Sequence, residues 1–132
     1  MTRQDELREP KWDLDGGSGY MNLFRIFLGI IFLSLLIYTL ITISNHGLNL
    51  LPVFFGDMKA MAWPGQFNFD FFGFLLLSGL WVSWRNSFSP LGLFLGLIAV
   101  FGGILFLYVY LLYLTFKTNG NIQELLLGEN RT

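Results

Sequence analysis

Between Pro90 and Phe116 the chain reads PLGLFLGLIAVFGGILFLYVYLLYLTF, without one charged side chain. About 27 apolar residues in a row exceed the ~20 that a helix needs to cross the ~30 Å hydrocarbon layer of a bilayer. A surface helix of a soluble protein keeps a polar face, and this stretch has none. Its start is marked as well. Ser89 stands where an N-cap belongs, and Pro90 follows at the first helical position, where its missing N–H costs nothing. Such a stretch can be hidden only in lipid. The composition agrees, with 54% hydrophobic and 13% charged residues, against about 25% charged in a soluble domain.

The same composition removes whole classes of function. A net charge of −1 offers no basic surface for nucleic acid. The chain has no cysteine, so disulfides, thiolate nucleophiles and thiolate metal sites are excluded within it. One histidine rules out a multi-histidine metal site in one subunit. No metal or cofactor is expected.

Residues 1–19, MTRQDELREPKWDLDGGSG, are polar and end in a Gly/Ser tract of the kind found in flexible linkers. They read as a polar tail or an appended tag and linker, and residues 20–128 as one transmembrane domain. Its first span is expected over about 23–44, too long for a signal-peptide core and followed by no small-x-small cleavage site. Arg25 lies near its start, within snorkelling reach of the headgroups. Ser34, Tyr38, Thr42 and Asn45 recur at helical spacing and form one polar stripe, which is expected to face protein rather than lipid.

Residues 46–65 are apolar but interrupted by Gly47, Pro52, Gly56, Pro64 and Gly65. They cannot form a continuous span and are expected to lie in the interface as one or two short helices, with Trp63 as an anchor. The second span is predicted over 67–84, with Asn68 as its cap and Asp70 in its first turn. The third, over about 90–116, carries Gly92, Gly96, Ala99 and Gly103 at spacings of four, three and four, a small-residue face that lets another helix approach closely. Asn121 with Glu124 resembles a capping box opening a short amphipathic helix over 121–127, which Gly128 ends. The predicted fold class is thus an all-α membrane protein with three transmembrane helices. Three spans place the termini on opposite sides, and the Lys/Arg distribution favours a cytoplasmic N-terminus.

Few residues could carry chemistry. Asp70 is the one acid near a span, and intramembrane acids are functional candidates by default, although a first-turn carboxylate is also stabilised by the helix dipole. His46 at the exit of the first span could join Asp57 and Asp70 in acid–base work or cation binding, but no ligand spacing is present. A hydrogen-bonding helix end is the plainer reading of His46, and a surface pair that of Asp57 and Lys59. Gly102-Gly103 has no phosphate-binding lysine after it.

The stretch WPGQFNFDFFGFLLLSGLWVSWR resembles small bacterial membrane proteins of domain-of-unknown-function families. The likeness lies in an Asn/Phe-x-Asp opening, a Trp-x-x-Trp-Arg exit and a following glycine-rich span, over about residues 21–128. It implies three spans and a bacterial cytoplasmic membrane, and it supplies no activity or catalytic residues. The expected function is a structural or accessory helix-packing subunit or homo-oligomer in membrane lipid, more an assembly component than an enzyme. The alternatives are an oligomeric transporter or channel for a small solute or ion using Asp70, and an enzyme acting on a lipid or isoprenoid at the interface.

Overall fold

The computed structural model describes residues 11–131; the rest of the predicted polar tail, residues 1–10, lies outside them. The described residues form five helices in order: α1 (Lys11–His46), α2 (Leu50–Lys59), α3 (Trp63–Arg85), α4 (Pro90–Lys117) and α5 (Ile122–Leu127), then a 3-10 turn over Glu129–Arg131. No strand occurs among the described residues. Three helical stretches, Gly19–His46, α3 and α4, are long and apolar enough to cross a membrane, as predicted.

Two boundaries are corrected. The helical backbone of α1 begins at Lys11 and passes through the Gly/Ser tract expected to be a linker. Extending an existing helix needs no new nucleus, so each added glycine costs only about 1 kcal/mol of propensity. α3 starts at Trp63, not at 67, with Pro64 in its first turn and Ala62 in the cap position. Asn68 therefore does not cap this helix. Its amide instead donates to Phe54 O at 3.2 Å and to Asp57 Oδ2 at 3.5 Å, tying α2 against α3. Gly65 permits that approach, because a Cβ there would sit 2.7 Å from the Cα of Met58.

The path of α4 is decided at Gly103, where φ is +62° and ψ −149°. That combination is essentially open only to glycine, and the helix breaks there. The two parts hold about 13 and 14 residues, roughly 20 Å each. The second part turns back beside the first. Asn86 Nδ2, just before α4, donates to Tyr110 Oη at 2.9 Å, whereas a straight helix would carry Tyr110 about 27 Å from Gly92. Thr115 meets Arg25 near the start of the membrane part of α1, and Gly120 lies against Met21. Both flanks of α4, the start of the membrane part of α1, and α5 consequently share one end of the molecule.

α3 and the first half of α4 run antiparallel with their backbones almost touching. A Cβ on Gly96 would collide with Ser83 Oγ and lie 2.7 Å from Gly79 O, while one on Gly79 would lie 2.8 Å from Gly96 O. Ser83 Oγ donates to Gly92 O at 3.3 Å across the same seam. Gly92, Gly96 and Ala99 are buried here, so the small-residue face packs within one chain and leaves no basis for an oligomer through that face. Val82, Ala99, Tyr110, Leu114 and Leu125 form the core where α3, both halves of α4 and α5 converge.

Among the described residues of α1, Met21 and Leu28 are buried, and Arg25 bonds Thr115 on α4. Beyond Ile30 its side chains are mostly exposed, because the hairpin of α4 is too short to reach them. The stripe of Ser34, Tyr38 and Thr42 likewise faces outward, against expectation. Its hydroxyls are satisfied locally: Ser34 donates to Ile30 O at 2.8 Å and Thr42 to Tyr38 O at 2.9 Å. A hydroxyl bonded to its own helix can face lipid without an orphaned donor.

The seam makes a direct prediction. Gly96→Leu drives side-chain atoms into the α3 backbone and destabilises by about 1–3 kcal/mol or more. Gly73→Leu, whose Cβ would meet open space, leaves stability unchanged or slightly raised, since glycine is the poorer helix former. Thermal unfolding of both variants in mild detergent distinguishes them.

Candidate functional site

The densest set of polar side chains lies where α3, α4 and α5 end. Helix ends leave four carbonyls each without an intrahelical donor, and lipid supplies none. Arg85, only 6% exposed, is the last residue of α3. Its Nε donates to Leu125 O at 2.6 Å and its Nη2 to Glu124 O at 3.2 Å, capping the last turn of α5. Arg131 answers in the other direction. Its Nη1 donates to Trp84 O at 2.7 Å, and its guanidinium lies 4.1 Å from the centre of the Trp84 ring. Trp81 Nε1 adds a bond to Leu126 O at 3.1 Å. Each helix end thus takes its missing donors from the other, and a cation beside a helix C-terminus also complements the dipole. Gly128, at φ +89°, makes the close approach possible, since a Cβ there would stand 2.5 Å from Arg85 O.

Arg25 makes the second knot. It does not snorkel outward as expected but turns onto α4. Its Nε donates to Thr115 Oγ1 at 3.0 Å, its Nη2 to Thr115 O at 2.8 Å and its Nη1 to Asn22 Oδ1 at 3.0 Å. The guanidinium lies 4.1 Å from the centre of the Phe116 ring. The fully buried Thr115 passes its own proton to Leu112 O at 2.6 Å. Lys117 is exposed, with its ammonium 6.0 Å from the centre of the Tyr113 ring. These hydrogen bonds of Arg25, Arg85 and Arg131 end on neutral oxygens.

The residues singled out in the sequence lie elsewhere. Asp70 is exposed two turns into α3, not in its first turn, so it does not cap the helix. Its neighbour Phe71 touches the break in α4, 3.5 Å from a Cβ placed on Gly103. His46 is exposed at the end of α1, and Asp57 is half-buried on α2, where it accepts from Asn68. Trp63 is 72% exposed, packs with its ring tilted against Phe67 and borders a shallow recess with Met61, Ala62 and Gln66. Among the described residues no group of three His, Cys, Asp or Glu side chains is placed to hold a metal ion.

Sequence reasoning passed over Arg85, Arg131, Thr115 and the Asn86–Tyr110 pair. One signal was present: an arginine directly after Trp-x-x-Trp, at the foot of an apolar span, has to find acceptors near the membrane.

Replacing Arg85 by Met removes the donor to Leu125 O, at about 1–3 kcal/mol for a buried orphan, while Glu124 O keeps the N–H of Gly128. Limited proteolysis then cuts within residues 121–131 at least several-fold faster than in the parent, while the helical content of the spans is unchanged.

No protein-family model, curated protein or solved structure matches this chain.

Proposed function

We propose that this is a structural or accessory membrane protein, one that organises helices in the bilayer and not an enzyme. The observation supporting this reading is the destination of its polar side chains. Arg25, Ser83, Arg85, Asn86 and Arg131 each bond an oxygen on another helix or at a helix end. They hold the helices to one another. The bacterial cytoplasmic membrane is the proposed location, in line with the motif resemblance. The exposed apolar faces of α1 and α3 leave room for membrane lipid, a second copy or a larger complex.

Transport of a small solute or ion is the second reading, and one observation favours it. The exposed carboxylate of Asp70 adjoins Phe71, which packs at the level of the break in α4. Broken helices and intramembrane acids together recur in ion-coupled transporters.

Proteoliposomes containing a pH-sensitive dye separate the two. On the structural reading, proton and cation flux equals that of empty liposomes for both the parent protein and Asp70→Asn. Flux clearly above the empty-liposome level that Asp70→Asn abolishes, with the variant still folded, overturns it in favour of transport.

A further inference from the structure

The reversal at Gly103 changes what the membrane sees. Among residues 20–131 the lysines and arginines are Arg25, Lys59, Arg85, Lys117 and Arg131. With α4 doubled back, four of them share the end formed by the start of the membrane part of α1, the foot of α3, both flanks of α4 and α5. Lys59 alone lies at the other end, after α2. Three of the four stand over aromatic rings, Arg25 on Phe116, Lys117 on Tyr113 and Arg131 on Trp84. Aromatic rings with cations at their edge are what a protein presents at headgroup level.

We propose that this end is a docking surface for the anionic headgroups of the cytoplasmic leaflet, and that α4 enters and leaves the bilayer through that same face. The chain then crosses the membrane twice, by α1 and α3, and its C-terminal helix returns to the side of α1's start. Each half of α4 is roughly 20 Å long and stops short of the ~30 Å hydrocarbon layer. Non-helical backbone at that depth needs protein cover, and Leu75 and Phe71 lie 3.5 Å from where a Cβ of Gly103 would be. Donors for a phosphate diester remain at the collar. Lys117 is exposed, and Arg131, half-buried, bonds the backbone through Nη1. Arg85, buried and engaged with α5, adds its charge. The positive-inside bias assigns this collar to the cytoplasm.

The chain has no native cysteine, so single cysteines report without background. Ser87→Cys and Gln123→Cys flank α4, and Leu48→Cys marks the opposite end. Each is labelled with a membrane-impermeant maleimide in right-side-out and inside-out vesicles from expressing cells. The expected result is that the first two react only in inside-out vesicles and Leu48→Cys only in right-side-out ones. Ser87→Cys and Gln123→Cys reacting from opposite faces overturns the proposal, as does their reacting together from the outer face. Native mass spectrometry after release in mild detergent tests the headgroup. Phosphatidylglycerol is expected to be retained several-fold over phosphatidylcholine, with that preference falling about fivefold in Lys117→Gln. Equal retention of the two lipids, or a preference unaffected by Lys117→Gln, overturns the assignment of the collar.

Discussion

At Gly103 the backbone takes a conformation that a side chain would make prohibitively strained, and the rest of the molecule follows from it. A continuous α4 would carry Tyr110, Thr115 and α5 far from α3. Because the helix breaks and returns, one apolar run supplies two packing partners. Its first half fits the Gly79–Ser83 face of α3, and its second brings Tyr110 and Leu114 into the same core. Thr115 then becomes the anchor for Arg25, which is what attaches α1.

Within lipid, apolar surface alone gives helices little reason to associate, so contact must come from close packing and hydrogen bonds. Both are concentrated here. The paired glycines 79 and 96 let two backbones meet with no side chain between them. Arg85 and Arg131 exchange donors between the ends of α3 and α5, and their rigid guanidinium forks reach the carbonyls of the last turns. Away from these seams the polar groups of α1 bond within their own helix. They stabilise nothing between helices, which is consistent with the bare outer face of α1.

Much of this was readable residue by residue. Ser89 accepts from Gly92 N at 3.0 Å and Asn121 from Glu124 N at 3.1 Å, as the capping signals predict. The small-residue face of α4 was legible as a packing surface from its spacing, though its partner was not: Gly79 and Ser83 carry no periodic mark that distinguishes them from the rest of α3. The Ser34–Thr42 stripe misled for a related reason. Spacing says which residues share a face, and only the length of the neighbouring elements says whether anything lies against it. Asp70 misled through a helix start taken from Asn68, when Pro64 already supplied a competent first turn four residues earlier.

The sequence by itself determined that the long helices are apolar enough for lipid to solvate, and that Ser89 and Asn121 cap the helices that follow them. Those properties depend on contiguous residues and on burial energy summed along a run. Only the tertiary structure decided that α4 reverses, that the C-terminal helix sits at the foot of α3, and that the arginines turn inward. A glycine pair inside an apolar helix is compatible with either a straight or a broken path, and local propensity separates the two by about 1 kcal/mol. The choice belongs to contacts between residues such as Arg25 and Thr115, 90 positions apart in the chain, whose energies no local pattern records.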